Sequence, residues 1–254
     1  MRITRAVVPS LFTTLNMFCG FLSLIFTLEG NYLNAAWFII IAAIFDSLDG
    51  LMARLTKSSS DFGVELDSLA DVVSFGDAPS FLIYNIHLQT LGSWGILISA
   101  MPMVMAAMRL ARFNVQLVGY DKDYFRGLPT PATAIMISSF ILTYYKGANG
   151  LTGFSAEILA PLSVGLSLLM VSTFKYDSAP KFSRRGISQH PWRFALSMLA
   201  LSAMISSLGQ AIFPIFVAYV ITGPIRFVVQ AIRSALRPAA QREAEENDLT
   251  SIDV

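Results

Sequence analysis

Residues 6–28 read AVVPSLFTTLNMFCGFLSLIFTL, 23 consecutive positions without a charged side chain. A helix rises about 1.5 Å per residue, so about 20 apolar residues cross a hydrocarbon layer about 30 Å thick. The stretch therefore predicts a membrane-spanning helix, and the same reading extends along the chain. Charge-free intervals recur at 78–108, 127–145, 158–174 and 194–225. The first and last of these run to 31 and 32 residues, enough for two spans each, with turns expected around His87 to Ser93 and Ser206 to Gln210. The outcome is about eight spans, near 8–28, 33–55, 62–87, 93–115, 129–146, 155–174, 193–208 and 210–231. The fold class expected is an all-α polytopic membrane protein, because helices satisfy every backbone polar group internally in lipid.

Composition points the same way. Of 254 residues 54% are hydrophobic and 14% charged, where soluble domains carry about 25% charged residues. A formal net charge of +1 without a basic face excludes nucleic acid as a partner. Cys19 is the sole cysteine, so no disulfide framework is possible within the chain, and its place in an apolar span behind the bulky Phe18 reads as packing. The first span is too long for a signal-peptide core and lacks a small-residue cleavage pattern.

With about eight spans drawn, 17 of the 18 basic residues fall on one side and only Lys146 on the other. The positive-inside rule then predicts a multi-pass protein of the cell (inner) membrane with both termini cytoplasmic. The expected organisation is a six-helix core over 1–175, a basic loop over 176–192, a helical pair over 193–231 and a disordered acidic tail over 232–254.

Seven of the 17 acidic residues lie between Asp46 and Asp77, inside and between two otherwise membrane-like helices. A carboxylate within a span costs several kcal/mol unless it is paired, solvated or bound to a metal, and Arg54 and Lys57 cannot neutralise all seven. At about 100° per residue, Asp46, Asp49, Gly50 and Ala53 form one helical stripe, and Gly63, Asp67 and Asp71 form a second. A short connection allows the stripes to face one another, so four carboxylates are expected to converge near the depth of the lipid headgroups. An oxygen-only set without histidine or cysteine suits Mg²⁺, Mn²⁺ or Ca²⁺ over zinc or copper. Two divalent ions would offset four charges and leave positions open for phosphate oxygens. Glycine and alanine on the stripe admit a close ligand, and Arg54 offers charge-assisted hydrogen bonds to phosphate.

As a string, Asp46-x2-Asp49-Gly50-x2-Ala53-Arg54-x8-Gly63-x3-Asp67-x3-Asp71 resembles the signature of the CDP-alcohol phosphotransferase family. Eight fixed positions match without an insertion, an accident on the order of 10⁻¹⁰ per starting point. The resemblance implies that Asp46, Asp49, Asp67 and Asp71 hold the metal, Mg²⁺ or Mn²⁺, and that Asp71 is also the base for the incoming alcohol. It further implies that Gly50, Ala53, Arg54, Ser60 and Gly63 line the CDP-diacylglycerol, with Arg54 and Ser60 at the diphosphate. The blocks Val72 to Pro79, Ala111 to Val115, Phe125 to Ala132 and Met170 to Ser172 resemble the phosphatidylserine synthase branch. The implied reaction joins L-serine and CDP-diacylglycerol to give phosphatidylserine and CMP, in a homodimer embedded in membrane lipid. Serine is a zwitterion whose carboxylate needs a cation, for which Arg112, with Asn114, is the candidate.

The same family with glycerol 3-phosphate or inositol as acceptor is the nearest alternative. A cation or proton transporter would use similar intramembrane carboxylates, but it needs access from both faces, whereas this cluster lies toward one.

Overall fold

The computed structural model describes residues 7–56, 60–116, 125–147, 150–176 and 211–235. Helix α1 (Val7–Leu28) turns at Gly30, whose φ of 73° is one that other residues rarely adopt, into α2 (Tyr32–Thr56). The two pack along a stripe of small and branched residues on α2, where Ala35, Ala36, Ile39, Ala42 and Ala43 are buried. Next come α3 (Asp61–Asp71), a six-residue π-helical turn (Val72–Asp77) and α4 (Ala78–Ile86). After a short turn at Leu88–Leu91 follow α5 (Ser93–Gln116), β1 (Phe125–Arg126), α6 (Thr130–Tyr144), α7 (Phe154–Val171), β2 (Lys175–Tyr176) and α8 (Ile212–Ala235). Among the described residues the secondary structure is all helical apart from the two-residue antiparallel ladder of β1 and β2.

Five of these helices, α1, α2, α5, α7 and α8, are long and apolar enough to cross a membrane, and α6 is a shorter apolar helix. The expected span at 193–208 lies outside the described residues, as do the expected loop 176–192 beyond Tyr176 and the expected tail 232–254 beyond Ala235, to which α8 continues.

The third expected span, 62–87, is not one continuous α-helix. Pro79 has no N–H for the carbonyl of Phe75 and its ring would clash there, so the chain widens into the π turn just before it. The widened turn is wedged between neighbours. Ser74 donates to the Asn16 carbonyl at 2.9 Å, and Gly76 packs on Met103 of α5. Gly20 of α1 has no space for a side chain, since a Cβ there would collide with Ser74 Oγ. Such π turns recur at functional sites, and this one directly follows Asp71.

Two further prolines are patched by side chains from other elements. Pro102 frees the Ile98 carbonyl in α5, which accepts from Ser163 of α7 at 3.3 Å, while the Met103 N–H donates to Ser80 of α4 at 3.1 Å. Pro224 frees the Val220 carbonyl in α8, which accepts from the Tyr176 hydroxyl at 3.1 Å. In a membrane an unsatisfied backbone polar group costs several kcal/mol, so two hydroxyl donors, Ser163 and Tyr176, and one acceptor, Ser80, keep the broken helices tenable.

Cys19 is buried and free, in keeping with a packing role, and His87 caps the end of α4. An apolar cavity of about 620 Å³ opens between α6, α7 and α8, lined by Phe140, Tyr144, Lys146, Phe154 and Phe213 among others. It lies at the end of α6 remote from Thr130 and contains none of the signature residues.

Candidate active site

The aspartates come together where α1, α2, α3 and α6 meet. One oxygen from each of Asp46, Asp49 and Asp67 lies within 4.8 Å of the other two. Asp49 is 6% exposed and accepts from Thr13 of α1 at 3.1 Å. Asp67 keeps one buried oxygen, Oδ1, without a hydrogen-bond partner.

Asp71, one turn further along α3, stands beside this trio rather than within it. It is 7% exposed, and both its oxygens are held. Asn16 Nδ2 of α1 lies 3.5 Å from Oδ1, and Thr130 Oγ1 at the start of α6 lies 3.4 Å from Oδ2. The negative charges of Asp46, Asp67 and Asp49 and the guanidinium of Arg109 all act on it. Arg109, from α5, is itself 7% exposed and has a buried Nε with no partner.

The physical balance is lopsided. At roughly 2.5 to 3.5 kcal/mol for a carboxylate at mid-membrane depth, four uncompensated ones would cost about 10 kcal/mol, comparable to the whole stability of a domain. Lower cost nearer the interface reduces this figure without removing it. The donor set is a good fit to a hard divalent cation: carboxylate oxygens only, close enough to share an ion, one of them buried and unpartnered.

The other residues expected at the site are distributed around it. Gly50 and Ala53 follow Asp49 along α2 and are half-buried. Arg54 follows on the same helix, but its side chain lies outside the described residues. Ser60 is exposed and serves as the N-cap of α3, accepting from the Gly63 N–H at 3.1 Å.

Arg112 and Asn114 do not join the aspartates. Arg112 Nη1 donates to the Val171 carbonyl at 3.1 Å, closing the C-terminal end of α7, and Asn114 donates to Ser68 Oγ at 3.0 Å. The basic group in the electrostatic field of Asp71 is instead Arg109, one turn earlier on the same face. Thr13, Asn16, Thr130 and Arg109 are the site residues that sequence reasoning passed over. Thr13 and Asn16 had left a signal, polar residues three apart within an apolar span.

A sequence model of the CDP-alcohol phosphatidyltransferase family matches residues 6–171. The CDP-diacylglycerol--serine O-phosphatidyltransferase of Helicobacter pylori strain J99 is 34% identical over 225 residues, covering 89% of this chain and 92% of that protein. The protein of the same name from Bacillus subtilis is 33% identical over 185 residues, covering 73% of this chain and 98% of its own length. An archaetidylserine synthase of Methanothermobacter thermautotrophicus is 39% identical over 171 residues, 66% of this chain and 68% of that one.

Proposed function

The chain belongs to the CDP-alcohol phosphatidyltransferase family, and from that premise we propose that it transfers the phosphatidyl group of CDP-diacylglycerol to the hydroxyl of L-serine, giving phosphatidylserine and CMP. The observation that carries the reading is the cluster of Asp46, Asp49 and Asp67 beside the doubly held Asp71. The similarity to serine-using relatives over most of the chain supports serine as the acceptor.

The ions are Mg²⁺ or Mn²⁺, two in number, held by Asp46, Asp49, Asp67 and Asp71. When bound they supply positive charge to the diphosphate and to the departing CMP. The protein's own groups do the rest. Thr13 fixes Asp49, and Asn16 and Thr130 fix the two oxygens of Asp71. Asp71 takes the proton from the serine hydroxyl as that oxygen attacks the lipid-linked phosphorus in line with the CMP leaving group. The P–O bond to serine forms as the P–O bond to CMP breaks, so no covalent enzyme intermediate is required. Gly50, Ala53 and Gly63 leave room for the CDP moiety, with Arg54 and Ser60 toward its diphosphate. The active site faces the cytoplasm of an inner membrane, and the protein works as a homodimer.

For the serine carboxylate the buried Arg109 is a better partner than Arg112, whose guanidinium already closes α7. Loss of a hydrogen bond to a charged group costs about 1.5 to 3 kcal/mol, or roughly 10- to 150-fold in binding. Arg109→Ala should therefore raise the KM for serine by at least about tenfold and change that for CDP-diacylglycerol by less than about threefold. Equal increases in both would remove Arg109 from the acceptor site. Arg112→Ala should lower the melting temperature with both KM values nearly unchanged.

The function is tested with purified protein in detergent, CDP-diacylglycerol, a divalent cation and labelled serine. CMP and labelled lipid should appear in equal amounts, and CMP release without label in lipid would contradict serine as the acceptor.

A further inference from the structure

Helix α8 lies beyond residues 6–171, the part that matches the family, yet it is built into the element that carries Thr130. The connection begins at a notch in α8. Pro224 leaves the Val220 carbonyl unpaired and Gly223 leaves its side free, and the fully buried Tyr176 fills both vacancies. Its hydroxyl donates to Val220 O at 3.1 Å, and a Cβ at position 223 would collide with its ring. Burial pushes the phenol up to about 12, so it remains a donor throughout the physiological range.

Tyr176 belongs to β2, and β2 pairs with β1 in the register Phe125 to Tyr176 and Arg126 to Lys175. The strand is continued by two more bonds, Gly127 N to Phe174 O at 2.8 Å and Leu128 N to Leu169 O at 2.9 Å. Gly127, at φ 82°, lies so close to α7 that a Cβ would collide with the Met170 carbonyl. Only Pro129 then separates this stitched segment from Thr130, whose hydroxyl reaches Asp71.

We propose that α8 is a positioning element of the catalytic centre: Tyr176, seated in the Gly223–Pro224 notch, fixes the β1–β2 clasp and thereby the placement of Thr130 on Asp71. The inference rests on the assignment of Asp71 as the base. It makes Tyr176 and Thr130 two links of one chain rather than two independent supports.

A double-mutant cycle on the full chain tests this, with kcat and both KM values read for Tyr176→Phe, Thr130→Val and the pair. Tyr176→Phe keeps the ring and deletes only the hydroxyl. Each single change should lower kcat by roughly fivefold, the factor for one net hydrogen bond, with both KM values within about twofold. The double variant should be no slower than Thr130→Val alone, because residues acting through one contact are not additive. Thr130→Ser, which retains the hydroxyl, should restore sensitivity to Tyr176→Phe. Gly223→Ala, which forces a methyl against the ring, should show the same coupling to Thr130 and serves if Tyr176→Phe fails to accumulate. Multiplicative losses, or unchanged kcat in Tyr176→Phe, would overturn the proposal. Asp71→Asn is measured alongside. Wild-type turnover there would overturn the base assignment, whereas an inactive Asp71→Asn beside independent effects of Tyr176 and Thr130 would overturn the clasp alone.

Discussion

Asp71→Asn is expected to lower CMP release by roughly 10²- to 10⁴-fold, the usual contribution of a positioned general base, while the protein stays folded. The amide is nearly isosteric with the carboxylate, so the packing of α3 against α1 is retained. It offers one oxygen where the carboxylate offered two, so either Asn16 or Thr130 loses its acceptor. Against that stands the relief of repulsion, since Asp46, Asp67 and Asp49 all bear on this position. Without added cation the melting temperature should therefore hold steady or rise, even as turnover with cation collapses. Activity and stability moving in opposite directions is the signature of a group kept for chemistry at a cost to the fold. A variant that loses turnover only in proportion to folded protein would mark Asp71 as structural.

Removal of divalent cations should have an effect as large. Chelation is expected to take turnover below detection and to lower the melting temperature, because Asp46, Asp49 and Asp67 then crowd their charges within 4.8 Å without compensation. Added Mg²⁺ or Mn²⁺ should restore both properties, and zinc should restore neither, given a set of oxygen donors without nitrogen or sulfur. In Asp67→Asn the same chelation should produce a smaller drop in melting temperature, since one charge has already been removed. Full activity after exhaustive chelation would exclude the metal from the mechanism.

Much of this architecture is written in the spacing of charges. The ends of α1, α2 and α5 fall within one residue of the expected spans 8–28, 33–55 and 93–115, because length and apolar content define a span. The convergence of the aspartates was equally legible, since helical stripes joined by a short loop have few ways to meet, although of the four expected together Asp71 stands beside the trio of Asp46, Asp49 and Asp67. The break after Asp71 was not read, although Gly76 and Pro79 were its signals. Apolar content is unchanged across a π turn, and the pattern used to find spans does not register it. The choice between Arg109 and Arg112 lay beyond the sequence for a different reason. They share a face three residues, about 4.5 Å, apart, and only the axial placement of α5 decides which one lies in the electrostatic field of Asp71 and which one bonds the end of α7. The clasp at Tyr176 depends on two-residue strands drawn from distant positions, too short to leave any periodic pattern.

The identity of the acceptor alcohol decides the reaction. With CDP-diacylglycerol and cation held constant, L-serine, glycerol 3-phosphate and inositol are offered separately and then in competition, and CMP and lipid products are counted. Serine should be consumed to give phosphatidylserine in amounts equal to CMP, with the other two alcohols giving no lipid product and no competition. Efficient transfer to glycerol 3-phosphate or inositol with serine left untouched would contradict the serine assignment at Arg109 and the reaction built on it.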